Sequence, residues 1–374
     1  IIPFVSSKSS NLLRCLHTLF GLTHITKRRF YTFMASPKIP WDRLWLCIWK
    51  AMAHRLTEGR MLIALDDYIN PKTGKKVFGC HRFFDHAAKQ NQARYPWAQN
   101  VVSIGWLASV KGRWACLPLS WRFYHPEKSI KTKPIRVGRS KVVFHTKFAQ
   151  AASMICEVHR FFQIPITVVA DSWFGNAGLW KPVHKALGEC FHLISRLRCN
   201  IKLFDIPAPK GNCKGRPRKY GEQLGNASSL APNYRDRART YYVRLYGRLR
   251  EVAAFDRVCM LKTLKCKVRV VWIFRKNKYV ALFTTDLSLS VQQIIENYGA
   301  RWKIESGFKE LKQEIGSAHT QCRDPHAVVN HLHFCMMATS TVWIYAMGLE
   351  NAPARRHSVK GRAHFAFSDV RRLI

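Results

Sequence analysis

Residues 296–316 read ENYGARWKIESGFKELKQEIG, and this stretch carries most of the information about the fold. Apolar residues recur in it at helical spacing: Ile304, Phe308, Leu311 and Ile315. This spacing places them on one face of an amphipathic helix that packs against a core. Upstream, Ser290 and Gln293 have the spacing of a capping box, which begins a helix. The sequence therefore predicts one helix from about residue 290 to 315.

A second stripe on the same predicted helix is polar. It consists of Tyr298, Arg301, Glu305 and Lys312. At 100° per residue these positions share a band roughly 60° wide beside the apolar face. Tyr, Arg and Lys hold phosphate oxygens and Glu holds a metal ion, so the stripe favours a phosphate-bearing ligand. The structural alternative is a solvated helix face with ion pairs between successive turns.

Two apolar runs upstream each end in an acid. Residues 61–65 lead into Asp66 and Asp67, and residues 164–170 lead into Asp171. Acids that follow buried parallel strands lie at the open edge of a sheet, where ligands bind. With Glu305 they form a set of hard oxygen ligands of the kind that Mg²⁺ or Mn²⁺ prefers. Two such ions about 4 Å apart catalyse phosphoryl transfer. The alternative for each acid alone is a turn or cap residue.

Strand-like and helix-like segments alternate through the first half of the chain, which predicts an α/β fold with a mixed sheet flanked by helices. We predict five segments: a helical basic N-terminal DNA-binding segment at 1–57, a first part of the core at 58–200, a β-rich insertion subdomain at 201–285, a second part of the core at 286–350, and a basic, truncated tail at 351–374. Residues 1–41 lack acids and superficially resemble a transit peptide, which is the alternative to DNA binding.

The spacing of Tyr298, Arg301, Glu305 and Lys312 resembles the YREK signature of transposases of the insertion-sequence-four superfamily. The stretches LIALDDYINPKTGKK and TVVADSWFGN are similar to that family's first-aspartate and second-aspartate regions. The resemblance extends over about residues 15–350 and implies a ribonuclease-H-like core interrupted by a β-rich insertion.

The same resemblance implies roles for individual residues. Asp67, Asp171 and Glu305 are the expected catalytic and metal-binding triad, with two Mg²⁺ or Mn²⁺ ions. Tyr298, Arg301 and Lys312 are expected to hold DNA phosphates, and Trp302 matches a neighbouring tryptophan of the motif. One departure concerns Tyr68, which stands where the family has Thr or Ser. Asp66 and Asp67 point to opposite faces of a strand, so only one of them binds metal; we expect Asp67.

Charge points to a polyanionic partner. Lys and Arg number 62 against 22 Asp and Glu, for a formal net charge of +40. Nucleic acid is the favoured polyanion. A membrane is a weaker candidate, because no apolar run in the sequence is long enough to span a bilayer. The twelve cysteines form no CxxC pair and lie mostly in apolar stretches, which indicates reduced thiols in a cytoplasmic protein. We expect it in bacteria, associated with the nucleoid.

Two further motifs carry weaker signals. Arg216, Arg218 and Lys219 lie in a basic loop, and GRPR at 215–218 resembles an Arg-flanked turn that enters an A·T minor groove. Nonspecific phosphate contact or a solvated loop are its alternatives. The Cys and His residues between 322 and 335 match no common zinc spacing.

The expected function is a DNA transposase that cuts transposon ends and joins them to target DNA, as a homodimer that holds two ends. Two alternatives stay open. One is a nuclease of the same fold without strand transfer, and the other is a catalytically dead DNA-binding relic.

Overall fold

The computed structural model describes residues 1–8, 11–56, 59–85, 88–208, 218–357 and 364–374. Its helices are α1 (Ile2–Ser6), α2 (Leu12–Thr18), α3 (Lys27–Met34), α4 (Trp41–Ala53), α5 (Glu127–Thr132), α6 (Lys147–Phe162), α7 (Ala177–Leu187), α8 (Ala227–Arg235), α9 (Val291–Ala300), α10 (Trp302–Glu310), α11 (Pro325–Gly348) and α12 (Phe367–Arg371).

The strands are β1 (Met61–Pro71), β2 (Cys80–Arg82), β3 (Trp97–Val110), β4 (Arg113–Tyr124), β5 (Arg136–Val137), β6 (Ser140–Lys141), β7 (Ile166–Ala170), β8 (Phe191–Arg196), β9 (Lys202–Phe204), β10 (Gln223–Asn226), β11 (Arg239–Leu245), β12 (Arg248–Leu261), β13 (Cys266–Arg275) and β14 (Lys278–Thr284).

The chain forms two compact units. One comprises residues 1–58, 67–154 and 303–374, and the other comprises residues 59–66 and 155–302. We call them the outer-segment unit and the middle-segment unit. The division falls inside β1, between Asp66 and Asp67, and again just after Trp302. Each unit is described by itself.

The middle-segment unit is built on a large mixed sheet flanked by helices, which confirms the predicted α/β class. Its strand order is β1, β7, β8, β14, β13, β12, β9, β10, with β11 paired to β12. β1, β7 and β8 are parallel, and β14 joins β8 antiparallel. Every residue of β7 is buried, as expected of a continuous apolar strand covered on both faces. The strands between 202 and 284 continue this sheet, and the boundaries of an insertion subdomain stay a prediction.

The outer-segment unit contains a long hairpin of β3 and β4, with β2 beside β3. The hairpin turns at Lys111 and Gly112, both with positive φ (49° and 76°), as two-residue hairpin turns require. Helix α11 forms the core of this unit, and 15 of its 24 residues are buried. It is apolar on all sides because it is surrounded by protein. No helix in the described ranges is both long and apolar enough to cross a bilayer.

The predicted helix at 290–315 is interrupted. α9 begins at its capping box on Ser290, as predicted, but ends at Ala300. α10 follows, and residues Leu311–Ile315 form a π-helical turn closed by Gly316 in the left-handed conformation. The assumption of 100° per residue therefore fails at both ends of α10. Wider π turns inside helices are frequent at functional sites.

Candidate functional site

The residues singled out by the sequence fall in both units. Asp171, Tyr298, Arg301 and Trp302 belong to the middle-segment unit, as does Asp66. Asp67, Glu305 and Lys312 belong to the outer-segment unit.

In the middle-segment unit, two acids lie on neighbouring parallel strands, one inside β1 and one directly after β7. β1 pairs with β7 so that Leu65 is opposite Ala170. The next residues are Asp66 and Asp171. Residues at matched positions of adjacent strands project to the same face of the sheet. Asp66, inside β1, and Asp171, directly after the end of β7, are thus the first residues beyond the paired stretch, and Asp171 lies where ligands of parallel sheets bind.

A tight loop fixes Asp171. Its Oδ1 accepts hydrogen bonds from the backbone N–H groups of Trp173 (3.0 Å) and Phe174 (3.1 Å). Its carbonyl oxygen accepts from Ser195 Oγ (2.7 Å) and from the Gly175 N–H (3.0 Å). Within the described ranges, no hydrogen bond reaches Oδ2. The carboxylate is thus oriented by one oxygen, and the other is available to a ligand.

Arg301 forms an ion pair with Asp66. Its Nη1 lies 3.2 Å from Asp66 Oδ2, with side-chain exposures of 11% and 19%. The guanidinium also lies over the Tyr298 ring, 5.6 Å from its centroid. Burial raises the pKa of Tyr298, the nearby Arg301 and Arg196 lower it, and Asp171 raises it. Of the predicted phosphate-holding residues, Arg301 thus contacts Asp66 and Tyr298 contacts Arg301, while Trp302 is 52% exposed.

In the outer-segment unit, Asp67 is engaged in a different way. Its Oδ2 accepts from Asn100 Nδ2 (2.7 Å) and forms an ion pair with Lys147 Nζ (2.9 Å). The sequence offered no signal for either partner, because both are remote in the chain.

Tyr68, the next residue, packs on Phe308 of α10 with ring centroids 4.3 Å apart. Lys312 Nζ lies 4.8 Å from the Tyr68 ring centroid and donates to the Ile69 carbonyl (2.8 Å). Burial lowers the pKa of Lys312. Since side chains alternate along a strand, the face of β1 that carries Tyr68 is the face of Asp66 and not that of Asp67. Glu305 lies in the first turn of α10 and is partly exposed.

The other residues singled out by the sequence are the basic loop and the Cys and His residues between 322 and 335. Arg216 lies outside the described residues, and Arg218 and Lys219 are exposed. His333 stacks on Trp41 (4.4 Å between ring centroids) and accepts from Trp45 Nε1 at 2.9 Å, so it belongs to an aromatic cluster. Throughout the described ranges, no group of three or more His, Cys, Asp or Glu is arranged to hold a metal ion. The cysteines in those ranges are all free thiols.

Paired carboxylates at a sheet edge, with an arginine and a tyrosine beside them, are typical of sites that handle phosphate groups. Comparison with known families agrees. The sequence profile described as DDE superfamily endonuclease matches residues 17–270, more than half of the chain. The chain belongs to this family of DDE superfamily endonucleases. The matched range includes Asp66, Asp67 and Asp171 and ends before Glu305.

Membership implies a DNA substrate, and nucleases of this superfamily generally use divalent metal ions. No curated protein matches the chain. A solved structure, the crystal structure of the NurA nuclease from Sulfolobus solfataricus, aligns with 76% of this chain and 85% of its own at 6% identity and a TM-score of 0.25. A similarity this low carries no argument.

The Asp171 loop gives a first test of the site. A Cβ on Gly175 would lie 2.1 Å from Ser195 Oγ and 2.6 Å from Ser195 Cβ. We expect Gly175→Ala to displace Asp171, to cost about 1–3 kcal/mol of unfolding free energy as overpacking does, and to impair DNA cleavage. Urea unfolding and a cleavage assay measure the two effects. Gly59→Ala is the matched control, because nothing lies within 4 Å of its added Cβ. Equal behaviour of the two variants would contradict the tight-loop interpretation.

Proposed function

We propose that this protein is a metal-dependent DNA transposase of the DDE type with a ribonuclease-H-like core. The parallel register of β1 and β7, which ends with Leu65 opposite Ala170 and so leads into Asp66 and Asp171, is the observation that carries the proposal. The net charge of +40 supports binding to a long polyanion such as DNA.

Asp66 replaces Asp67 in the proposed triad. Asp66 and Asp171 both directly follow the last β1–β7 pair, and Asp66 is an ion-pair partner of Arg301, whereas the Asp67 carboxylate is paired with Lys147 and Asn100. Glu305 is the proposed third acid, because it follows Arg301 by one helical turn in the signature. Asp67 serves in this proposal as a structural ion-pair partner.

The chemistry of the proposed donors suits a divalent metal. Carboxylate oxygens are the ligands that Mg²⁺ and Mn²⁺ prefer, and Asp171 Oδ2 accepts no hydrogen bond within the described ranges. Asp66, Asp171 and Glu305 would hold the metal, which when bound supplies charge neutralisation and a more acidic attacking hydroxyl or water.

The chain's own residues position the substrate. Arg301, beside Asp66, donates to non-bridging oxygens of the scissile phosphate and neutralises the charge that develops on them. Tyr298, held against Arg301, donates its hydroxyl to the same phosphate, and Lys312 contributes a further cation. The attacking group is first water and then the 3′-hydroxyl of the cut end. The proposal includes a homodimer that holds two DNA ends, in bacterial cytoplasm beside the nucleoid.

Strand transfer is the activity that distinguishes this proposal from a plain nuclease. The substrate is a labelled duplex that carries the genomic DNA flanking the reading frame, incubated with the protein, Mg²⁺ and a supercoiled plasmid. We expect cleavage at the element's ends and labelled plasmid as joined product on a gel. A duplex with scrambled flanks and a reaction with EDTA are the controls. Cleavage without joined product would identify the protein as a nuclease without strand transfer. Binding without cleavage would identify it as a catalytically dead DNA-binding relic.

A further inference from the structure

A hairpin in the middle-segment unit has an unusual tip. β11 and β12 are joined by Tyr246 and Gly247, with φ of 55° and 79°. A two-residue turn with both residues left-handed favours Asn-Gly, because Asn tolerates this conformation and bulky residues do not. Tyrosine at the first position is therefore a strained choice, and strain of this kind concentrates at functional sites. The Tyr246 side chain is also 62% exposed.

The outer half of this hairpin, residues 239–254, is a two-stranded arm. β12 pairs with β13 only from Ala253 onward, and its earlier residues pair with β11. The arm carries four arginines and one acid, Glu251. The arginines are exposed and lie at positions 239, 244, 248 and 250. Their charge is complementary to a phosphate backbone.

Large apolar surfaces of the arm are also exposed. Tyr242 is 59% exposed and Leu249 is 65% exposed, and by register they lie on one face with Arg244. The Arg250 guanidinium lies 5.8 Å from the Tyr246 ring centroid. Aromatic rings interleaved with arginines are suited to nucleic acid, because rings contact sugars and bases while guanidinium groups bind phosphates and base edges.

The arm is fixed to the helix that carries the signature. The Arg244 N–H donates to Glu296 Oε1 on α9 at 2.7 Å. Gly299, also on α9, permits the contact: a Cβ there would lie 2.4 Å from Leu245 Cδ2. The same helix leads into Tyr298 and Arg301, beside Asp66. Within this unit, the arm is therefore tied to Arg301 and Asp66 through one helix.

We propose that residues 239–254 form a DNA-binding arm that enters the major groove of duplex DNA, with Tyr246 as its leading contact. A two-stranded β-ribbon fits that groove. The inference rests on the proposed function for its substrate. It adds a binding surface that neither the signature residues nor the basic loop at 216–219 provides.

Tyr246→Asn is the decisive variant, because asparagine suits the turn and removes the ring. We expect unfolding free energy to stay equal or rise, and affinity for a labelled duplex to fall about tenfold, the effect of losing one contact of about 1–3 kcal/mol to a base edge. Fluorescence anisotropy in EDTA measures binding without cleavage. Tyr246→Phe should bind like the wild type. Tyr95→Asn is the matched control, because Tyr95 is 59% exposed and lies outside the arm.

A second variant tests the charge of the arm. Arg248→Gln combined with Arg250→Gln should reduce the slope of log affinity against log salt by about two, since each phosphate contact contributes about one. Wild-type affinity in Tyr246→Asn, or an equal loss in Tyr95→Asn, would overturn the proposal. The proposal would also be overturned if Tyr246→Asn lost as much affinity for double-stranded RNA, because the deep major groove of RNA excludes the arm. Loss of self-association in place of DNA binding would overturn it as well. If the wild-type protein binds DNA through Tyr246 but does not cleave it, the transposase proposal is rejected and the proposal of a DNA-binding arm is retained.

Discussion

Asp171→Asn should reduce metal-dependent DNA cleavage by on the order of 10³-fold, as the loss of a key electrostatic group in a phosphoryl-transfer site does. Asparagine keeps an oxygen that accepts from the Trp173 and Phe174 N–H groups, so the loop should keep its shape. DNA affinity in EDTA and the urea midpoint should match the wild type. Loss of cleavage together with loss of folding would leave the catalytic assignment without support, so both controls are measured on the same preparation.

The neighbouring pair of aspartates makes this prediction selective. Asp66→Asn should be as inactive as Asp171→Asn, because both acids directly follow the Leu65–Ala170 pair of β1 and β7 and belong to the proposed triad. Asp67→Asn should retain cleavage and lose some stability, because Lys147 then lacks its ionic partner. The reverse pattern, with Asp66→Asn active and Asp67→Asn inactive, would return the triad to the assignment first expected from the sequence.

Arg113→Met should destabilise the protein by about 1–3 kcal/mol, the usual cost of leaving a buried hydrogen-bonding group without its partner, because Glu310 then takes up a proton. Arg113 Nη2 lies 3.2 Å from Glu310 Oε1, with side-chain exposures of 14% and 17%. The guanidinium also lies over Trp343, 5.1 Å from the ring centroid. Urea unfolding of Arg113→Met, Glu310→Met and the double variant measures the effect. The double variant should recover part of the loss, since both charges are then absent. Additive losses would show that the pair is not coupled.

The pH dependence of stability offers an independent check of Glu310. Burial raises its pKa to about 7, against the opposing effect of Arg113. Because the folded-state pKa is above the unfolded value of 4.5, the folded protein binds more protons between these values, and this contribution to stability is lost as pH rises through 7. Glu310→Gln should flatten the stability curve between pH 4.5 and 7 relative to the wild type. An unchanged curve would contradict the assignment.

Periodicity and composition predicted much of the architecture. The strand that ends before Asp171 and the capping box at Ser290 follow from local patterns and are present. These features depend on neighbouring residues, whose preferences the sequence displays directly.

Other features depend on contacts between remote segments and could not be read locally. The choice between Asp66 and Asp67 depends on strand register and on Lys147, 80 residues away. The break after Ala300 and the π turn at residues 311–315 change the helix face without any Pro in the segment. The turn at Tyr246 has no local signature, because tyrosine is not among the residues that mark turns.

The contact between Gly299 and Leu245 limits how this protein can be recombined with its relatives. A chimera that imports a hairpin from a homologue while keeping the native α9 must match Leu245 to a helix position without a side chain. The hairpin and α9 are thus one exchangeable part, and protein engineers who graft new arms should transfer both segments together.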